Sequence, residues 1–173
     1  TWPSTRKRAA PPDLHAHLFM RISVYQLKPR FQRLLQPLLR GVARAGISPN
    51  QLTVGTTALM LLYGLALALA PDTRALWWGL PVVLLVRMAL NALDGMLANT
   101  TGQKTPLGAM LNELCDLVSD AALYLPFALV PGIHAGLVVG AVVVASWAEC
   151  TGLAALAAGT QRRFDGPMGK SDR

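Results

Sequence analysis

Seven polar side chains occupy stretches of this sequence that are otherwise apolar enough to cross a bilayer. Asp94, Glu113, Asp116, Asp120 and Glu149 are carboxylates, and Asn91 and Asn112 are amides among them. A carboxylate in hydrocarbon carries a desolvation cost of several kcal/mol unless a cation answers it. The same stretches supply one cation, Arg87. One guanidinium cannot balance five carboxylates, so bound divalent metal, protonation or a hydrated interior must make up the difference.

Spacing favours metal. Asn91 and Asp94 are three residues apart and share one helical face, while Asn112, Asp116 and Asp120 step by four along another helix. Measured from the polar end of each span at ~1.5 Å per residue, these groups meet roughly 6–14 Å below the interface. Ligands made only of oxygen suit Mg²⁺, Mn²⁺ or Ca²⁺ rather than zinc. Such metals serve phosphoryl chemistry by bridging anionic oxygens and stabilising developing charge. Gly95 and Gly108 bare the backbone beside these groups, either for a ligand or for helix packing.

The elements that must position these groups read as membrane helices. Of 173 residues, 53% are hydrophobic and 14% are charged, and the mean hydropathy is +0.39. An all-α, polytopic transmembrane bundle is the fold class expected, with four spans at Leu52–Ala70, Ala75–Ala98, Leu107–Val130 and Ile133–Ala158. Residues 46–160 form this core. Trp77 and Trp78 open the second span at an interface. Cys115 and Cys150 fall inside spans, which predicts buried apolar filler rather than a disulfide framework.

The flanks are basic. The formal net charge is +7, and nine of the sixteen Lys and Arg lie in the first 44 residues against one acid, Asp13. That pattern marks a cytoplasmic segment facing anionic lipid. Nucleic-acid binding is the rival reading of basicity, but it leaves the apolar remainder unexplained, so no nucleic-acid partner is expected. Residues 1–13, with Pro3, Pro11 and Pro12, read as a disordered basic arm. Residues 14–45 read as an interfacial amphipathic helical region. Within it Phe31, Leu34, Leu35, Leu38, Leu39 and Val42 form one apolar stripe, and Pro37 should kink it. Gly46 ends that helix, and Ser48-Pro49-Asn50 turns the chain into the first span.

Residues 161–173 read as a cytoplasmic segment containing Arg162 and Arg163. With the arm, the Lys104 loop and this segment inside, every loop satisfies the positive-inside rule. Gly132, Gly136 and Gly140 form a small-residue ladder that permits close helix approach, within one bundle or across a homodimer. The chain begins at Thr1 rather than Met, as a fragment or processed product would, and no signal peptide is apparent.

The polar positions also fit a known pattern. Asp94-Gly95-x-x-Ala98, residue 99, eight residues, then Gly108-x3-residue 112-x3-Asp116 resembles the CDP-alcohol phosphatidyltransferase signature, D-x-x-D-G-x-x-A-R-x8-G-x3-D-x3-D. Pro49-Asn50-Gln51-Leu52-Thr53 resembles that family's entry to its first span, and the likeness covers about residues 30 to 173. Three positions depart from it: Asn91 for the first aspartate, Asn99 for the arginine, and Asn112 for the third aspartate.

The resemblance implies a six-span fold, of which four spans stand in this chain. It implies a phosphatidyl group passing from a CDP-linked lipid to an alcohol acceptor, with CMP released. The resemblance implies two divalent metals, Mg²⁺ or Mn²⁺, that hold the CDP diphosphate, and the metal set it implies is Asn91, Asp94, Asn112 and Asp116, with Glu113 or Asp120 compensating for the lost charges. Asp116 is implied as the general base, and Gly95, Ala98 and Gly108 as the nucleotide-side contacts. The implied setting is phospholipid synthesis at a bacterial inner membrane, with the site facing the cytoplasm, membrane lipids around it and a phosphorylated acceptor as one option.

Two other classes compete. A degenerate relative would bind lipid or nucleotide, or assist membrane assembly, without turnover. An ion or proton transporter would also hold intramembrane carboxylates, but conduction has no evident need for the Gly95, Ala98 and Gly108 spacing.

Overall fold

The computed structural model describes residues 28–157, with side chains described for 30–154. The basic arm, the first part of the amphipathic region and the segment 161–173 with Arg162 and Arg163 lie outside the described residues. Helix α1 is Lys28–Arg44, α2 is Pro49–Leu69, α3 is Arg74–Thr100, α4 is Pro106–Tyr124 and α5 is Ala135–Ala157, with a short 3₁₀ helix at Leu125–Leu129. No strand occurs among the described residues. The all-α class expected from hydropathy is the class observed.

Helix α1 runs through Pro37 without interruption, so that proline does not end it. Leu35 and Leu39 are buried on it, while Leu34 and Leu38 are exposed. The apolar stripe is therefore divided between a packed edge and an open one. Gly46, at φ +70°, makes the left-handed turn after α1 that a residue with a Cβ resists. Ser48 then caps α2 through a reciprocal box: its hydroxyl accepts from the Gln51 amide at 3.2 Å, and its own amide donates to Gln51 Oε1 at 2.9 Å.

Helix α2 is the axis of the bundle. Both α3 and α4 pack closely along it, and they approach each other less closely than either approaches α2. Contact with α4 is tight at Gly64, where a Cβ would stand 2.1 Å from the Ala122 carbonyl oxygen. At this end Met60, Leu67, Leu80 and Leu123 form an apolar core, flanked by Tyr63, Trp77 and Phe127. Trp77 meets Phe127 edge to face at 4.8 Å between ring centres. Its indole N–H donates to the Pro71 carbonyl at 2.7 Å. Trp77 is thus a core residue, and Trp78, 81% exposed, is the one that faces outward.

Three helices are long and apolar enough to cross a membrane: Pro49–Leu69, Arg74–Thr100 and Ala135–Ala154. The large apolar side chains they leave exposed, such as Leu62, Leu69, Val82, Leu137 and Val144, suit lipid and not water. The expected third span differs from its reading. Its α-helix stops at Tyr124 and tightens into the 3₁₀ helix at Pro126, because proline offers no amide hydrogen to continue the ladder. It also carries Glu113, Asp116 and Asp120, which keeps it from qualifying as a span on composition.

Two further expectations change. Gly132, at φ +87°, lies in the turn before α5, so the glycine ladder reduces to Gly136 and Gly140. Cys115 is half-buried and Cys150 exposed, both as free thiols. Cys150 is therefore not buried filler.

Candidate active site

The polar groups gather where the first turns of α2 and α4 meet the last turns of α3. Asp94 is 4% exposed, and Thr53 on α2 donates its hydroxyl hydrogen to Asp94 Oδ2 at 2.9 Å. The same hydroxyl lies 3.0 Å from the Pro49 carbonyl. A threonine has one O–H donor, so its hydrogen is shared between the two acceptors. Asp94 is thereby tied to the amino-terminal turn of α2, where helix dipole and amide hydrogens favour negative charge.

Asn91 and Asp116 come together. Asn91 Nδ2 donates to Asp116 Oδ1 at 2.6 Å, across 25 residues of sequence. Which end of the amide faces Asp116 follows from chemistry: a carboxylate oxygen repels the amide oxygen and accepts from its N–H. Arg87, one turn before Asn91, reaches the same carboxylate. One of its terminal nitrogens lies 3.3 Å from Asp116 Oδ1 and 3.1 Å from the Asp116 carbonyl oxygen. The other donates to Asp120 Oδ1. Arg87 and Asp116 side chains are 14% and 15% exposed, so these charges interact with little solvent screening.

These contacts fix the register. Asn91 pairs with Asp116 and Arg87 with Asp120, so four residues forward on α3 match four residues back on α4. The two helices are antiparallel, and the pairs are one turn apart. Continued toward the 101–105 turn, the same register sets Asp94 level with Glu113, and Gly95 level with Asn112. Asn112 Oδ1 is buried and has no hydrogen-bond partner. Such an atom carries the full cost of desolvation unless something else occupies it.

Gly95 and Gly108 differ in their surroundings. A Cβ at Gly95 would meet nothing within 4 Å, whereas at Gly108 it would stand 3.0 Å from Asn50 Oδ1 and 3.1 Å from Thr105 Oγ1. Gly108 thus admits the Asn50 side chain between α2 and α4, and Gly95 opens onto free space. Ala98 is partly buried on α3, and Glu113 partly buried on α4. Asn99 is exposed beyond them.

Among the described residues, no group of three or more His, Cys, Asp and Glu side chains is gathered so as to hold a metal ion. With amides at 91 and 112, half of the oxygen set lies outside those four residue types.

Sequence reasoning missed two partners. Thr53 was visible only as part of the entry to the first span, because its partner Asp94 lies 41 residues away on another helix. Ser119, 2% exposed, meets Thr57 at 3.5 Å and adds a polar rung between α2 and α4. The interruption of an apolar run by small hydroxyl residues is its only signal in the sequence.

A family model described as CDP-alcohol phosphatidyltransferase matches residues 46–169. The chain belongs to the CDP-alcohol phosphatidyltransferase family. That stretch contains α2 to α5 and every polar group described above. The inner membrane protein YnbA of Escherichia coli is 46% identical over 152 residues, covering 88% of this chain and 75% of that protein. The phosphatidylinositol phosphate synthase of Mycobacteroides abscessus is 34% identical over 94 residues, covering 54% of this chain and 41% of that enzyme. The archaetidylinositol phosphate synthase of Pyrococcus horikoshii is 32% identical over 104 residues, covering 60% and 53%. The chain therefore spans about half, or less, of the length of the two synthases. No solved structure matches it. Together with its three membrane-length apolar helices, this kinship makes the chain an integral membrane protein of a transferase family.

Proposed function

We propose that the chain carries the site of a phosphotransferase that moves a phosphatidyl group from a CDP-linked lipid to an alcohol, releasing CMP. The observation that carries this reading is the Asn91–Asp116 contact at 2.6 Å. It joins the two halves of the signature across two helices inside the family match. In the reaction the alcohol oxygen forms a bond to the β-phosphorus, the bond from that phosphorus to the bridging oxygen breaks, and CMP leaves. Asp116 takes the hydroxyl proton as general base. Asn91 and Arg87 hold its carboxylate in one orientation, which is the positioning such a base needs. Gly95, with open space where a side chain would stand, lets the donor approach the α3 backbone. Ala98 and Gly108 line the same approach.

A hard divalent cation, Mg²⁺ or Mn²⁺, fits the donors present. Asp94 supplies a carboxylate, Asn112 supplies a buried carbonyl oxygen with no hydrogen bond, and Glu113 stands beside it on α4, while Asp116, the fourth position of the implied metal set, is held by Arg87 and Asn91. When bound, such an ion neutralises and orients diphosphate oxygens.

The proposal keeps the segment plan read from the sequence. That plan takes residues 1–13 as an arm, 14–45 as an interfacial helical region, 46–160 as the membrane core and 161–173 as a cytoplasmic segment, with α4 counted as the third of four spans. The site faces the cytoplasm of a bacterial inner membrane, where Lys104, Arg162 and Arg163 favour anionic substrates. Because two relatives are synthases of inositol phosphate lipids, inositol phosphate is the first acceptor to test. A homodimer through Gly136 and Gly140 belongs to the same proposal.

The test is CMP release from CDP-diacylglycerol with Mg²⁺ or Mn²⁺ and a panel of alcohols, inositol phosphate included. No release with any acceptor, and no donor binding, would sink the enzyme reading. Donor binding without release would favour the second reading, a non-catalytic lipid- or nucleotide-binding relative. Asn91, Asn99 and Asn112 at signature positions are what keep that reading in play.

A further inference from the structure

The polar seam between α3 and α4 has two unlike ends. At its inner end Arg87 is wedged between Asp116 and Asp120, with Asn91 donating to Asp116 from the adjacent turn. At its outer end, toward the 101–105 turn, stand Asp94, Glu113 and Asn112. The inner end therefore holds a permanent cation, because a guanidinium stays protonated at any pH a protein survives. The outer end holds carboxylates and a buried amide oxygen.

We propose that this chain binds a single divalent cation, at the outer end, and that Arg87 stands in for a second one at the inner end. The inference rests on the transferase reading of the site and specifies its metal content. Three features support it. The first is charge: Arg87 answers Asp116 and Asp120 at short range in a poorly solvated place, and a doubly charged ion beside it would be repelled. The second is ligand chemistry. Asn91 gives its N–H to Asp116 and brings no negative charge, so the inner end has one anionic ligand fewer than the signature provides for holding a hard divalent ion. The third is that Asn112 Oδ1 is buried with no hydrogen bond, and its register sets it beside the Asp94 and Glu113 tier. A cation there would satisfy it.

Arg87 is thus a positioning residue in this picture. It holds Asp116 through its guanidinium and needs no contact with substrate. It also explains how two amides are tolerated where the signature has aspartates: part of the charge that a second metal would answer is absent, and the rest is answered from within the chain.

The experiment counts ions on the purified full chain in detergent. Mn²⁺ is titrated in, the unbound ion is followed by its electron paramagnetic resonance signal, and thermal unfolding is read in parallel. One Mn²⁺ per chain is expected for the wild type and for Arg87→Lys, which keeps the charge. Asp94→Asn should lose that ion, with at least a tenfold weaker Kd. Arg87→Gln should take up a second Mn²⁺ as Asp116 and Asp120 lose their cation. Two ions in the wild type would overturn the proposal and leave the transferase reading standing, since CMP release is scored separately. No bound Mn²⁺ in the wild type, or full retention in Asp94→Asn, would also overturn it. If Arg87→Gln fails to fold, the wild-type count and the Asp94→Asn loss decide the matter.

Discussion

Thr53 holds one oxygen of a carboxylate that is almost wholly removed from solvent, and it does so with a single shared hydrogen. Replacing it by valine keeps the volume and removes the donor. Thr53→Val should lower stability by about 1–3 kcal/mol, the usual cost of removing one partner from a buried polar group. Thr53→Ser should keep most of it, and a thermal melt in detergent with equal stability for all three would show that the bond contributes nothing. Asp116 carries a different kind of expectation. As a general base its removal should cost ~10²–10⁴-fold in rate, so Asp116→Asn should lose CMP release while retaining CDP-lipid binding. Unchanged turnover would remove it from that role. The residue types at this site were legible in the sequence, because Asp94, Glu113, Asp116 and Asp120 are conspicuous in an apolar run. Their pairings were not. Whether Arg87 meets Asp94, Asp116 or Glu149 depends on the rotation and depth of two helices, and spacing within one helix leaves both undefined.

Helix α2 sets that rotation and depth, and its glycines show how. Gly64 lets the backbone of α4 approach until the Ala122 carbonyl occupies the place of a side chain. Gly64→Ala should push the two helices apart and cost about 1–3 kcal/mol by overpacking. Gly55, on the same helix with nothing within 4 Å of its missing Cβ, is the control. Gly55→Ala should be neutral or gain up to about 1 kcal/mol from helix propensity. Equal melting shifts for both would mean that the α2–α4 approach does not depend on Gly64. Helix boundaries were largely legible, because Gly46 is a recognisable stop and Ser48-Pro49-Asn50 a recognisable entry to α2. The break at Pro126 was less so. The apolar run continues past it to Val130, and hydropathy counts residues without testing whether each can extend an amide ladder. Nor does hydropathy separate Trp77, which packs on Phe127 and donates to the Pro71 carbonyl, from Trp78, which faces outward.

Across the whole molecule, the polar seam and the apolar core lie at opposite ends of the same three helices. Thr53, Asp94 and Gly108 mark the end near the 101–105 turn, and Met60, Leu67, Leu80 and Leu123 mark the end near the 70–73 turn. A membrane turns that polarity into sidedness. CDP-linked donors and phosphorylated acceptors are water-facing anionic groups, so the polar end must open to the compartment that supplies them. The positive-inside rule assigns the Lys104 turn to the cytoplasm and leaves the Asp72 turn on the far side. Single cysteines at these turns, in a background of Cys115→Ala and Cys150→Ala, make the assignment measurable. Asp72→Cys should react with a membrane-impermeant maleimide from the periplasmic side of intact cells, and Gln103→Cys only after the inner membrane is opened. The opposite pattern would put the polar seam on the side without nucleotide, and the transferase reading would then need another route for its donor.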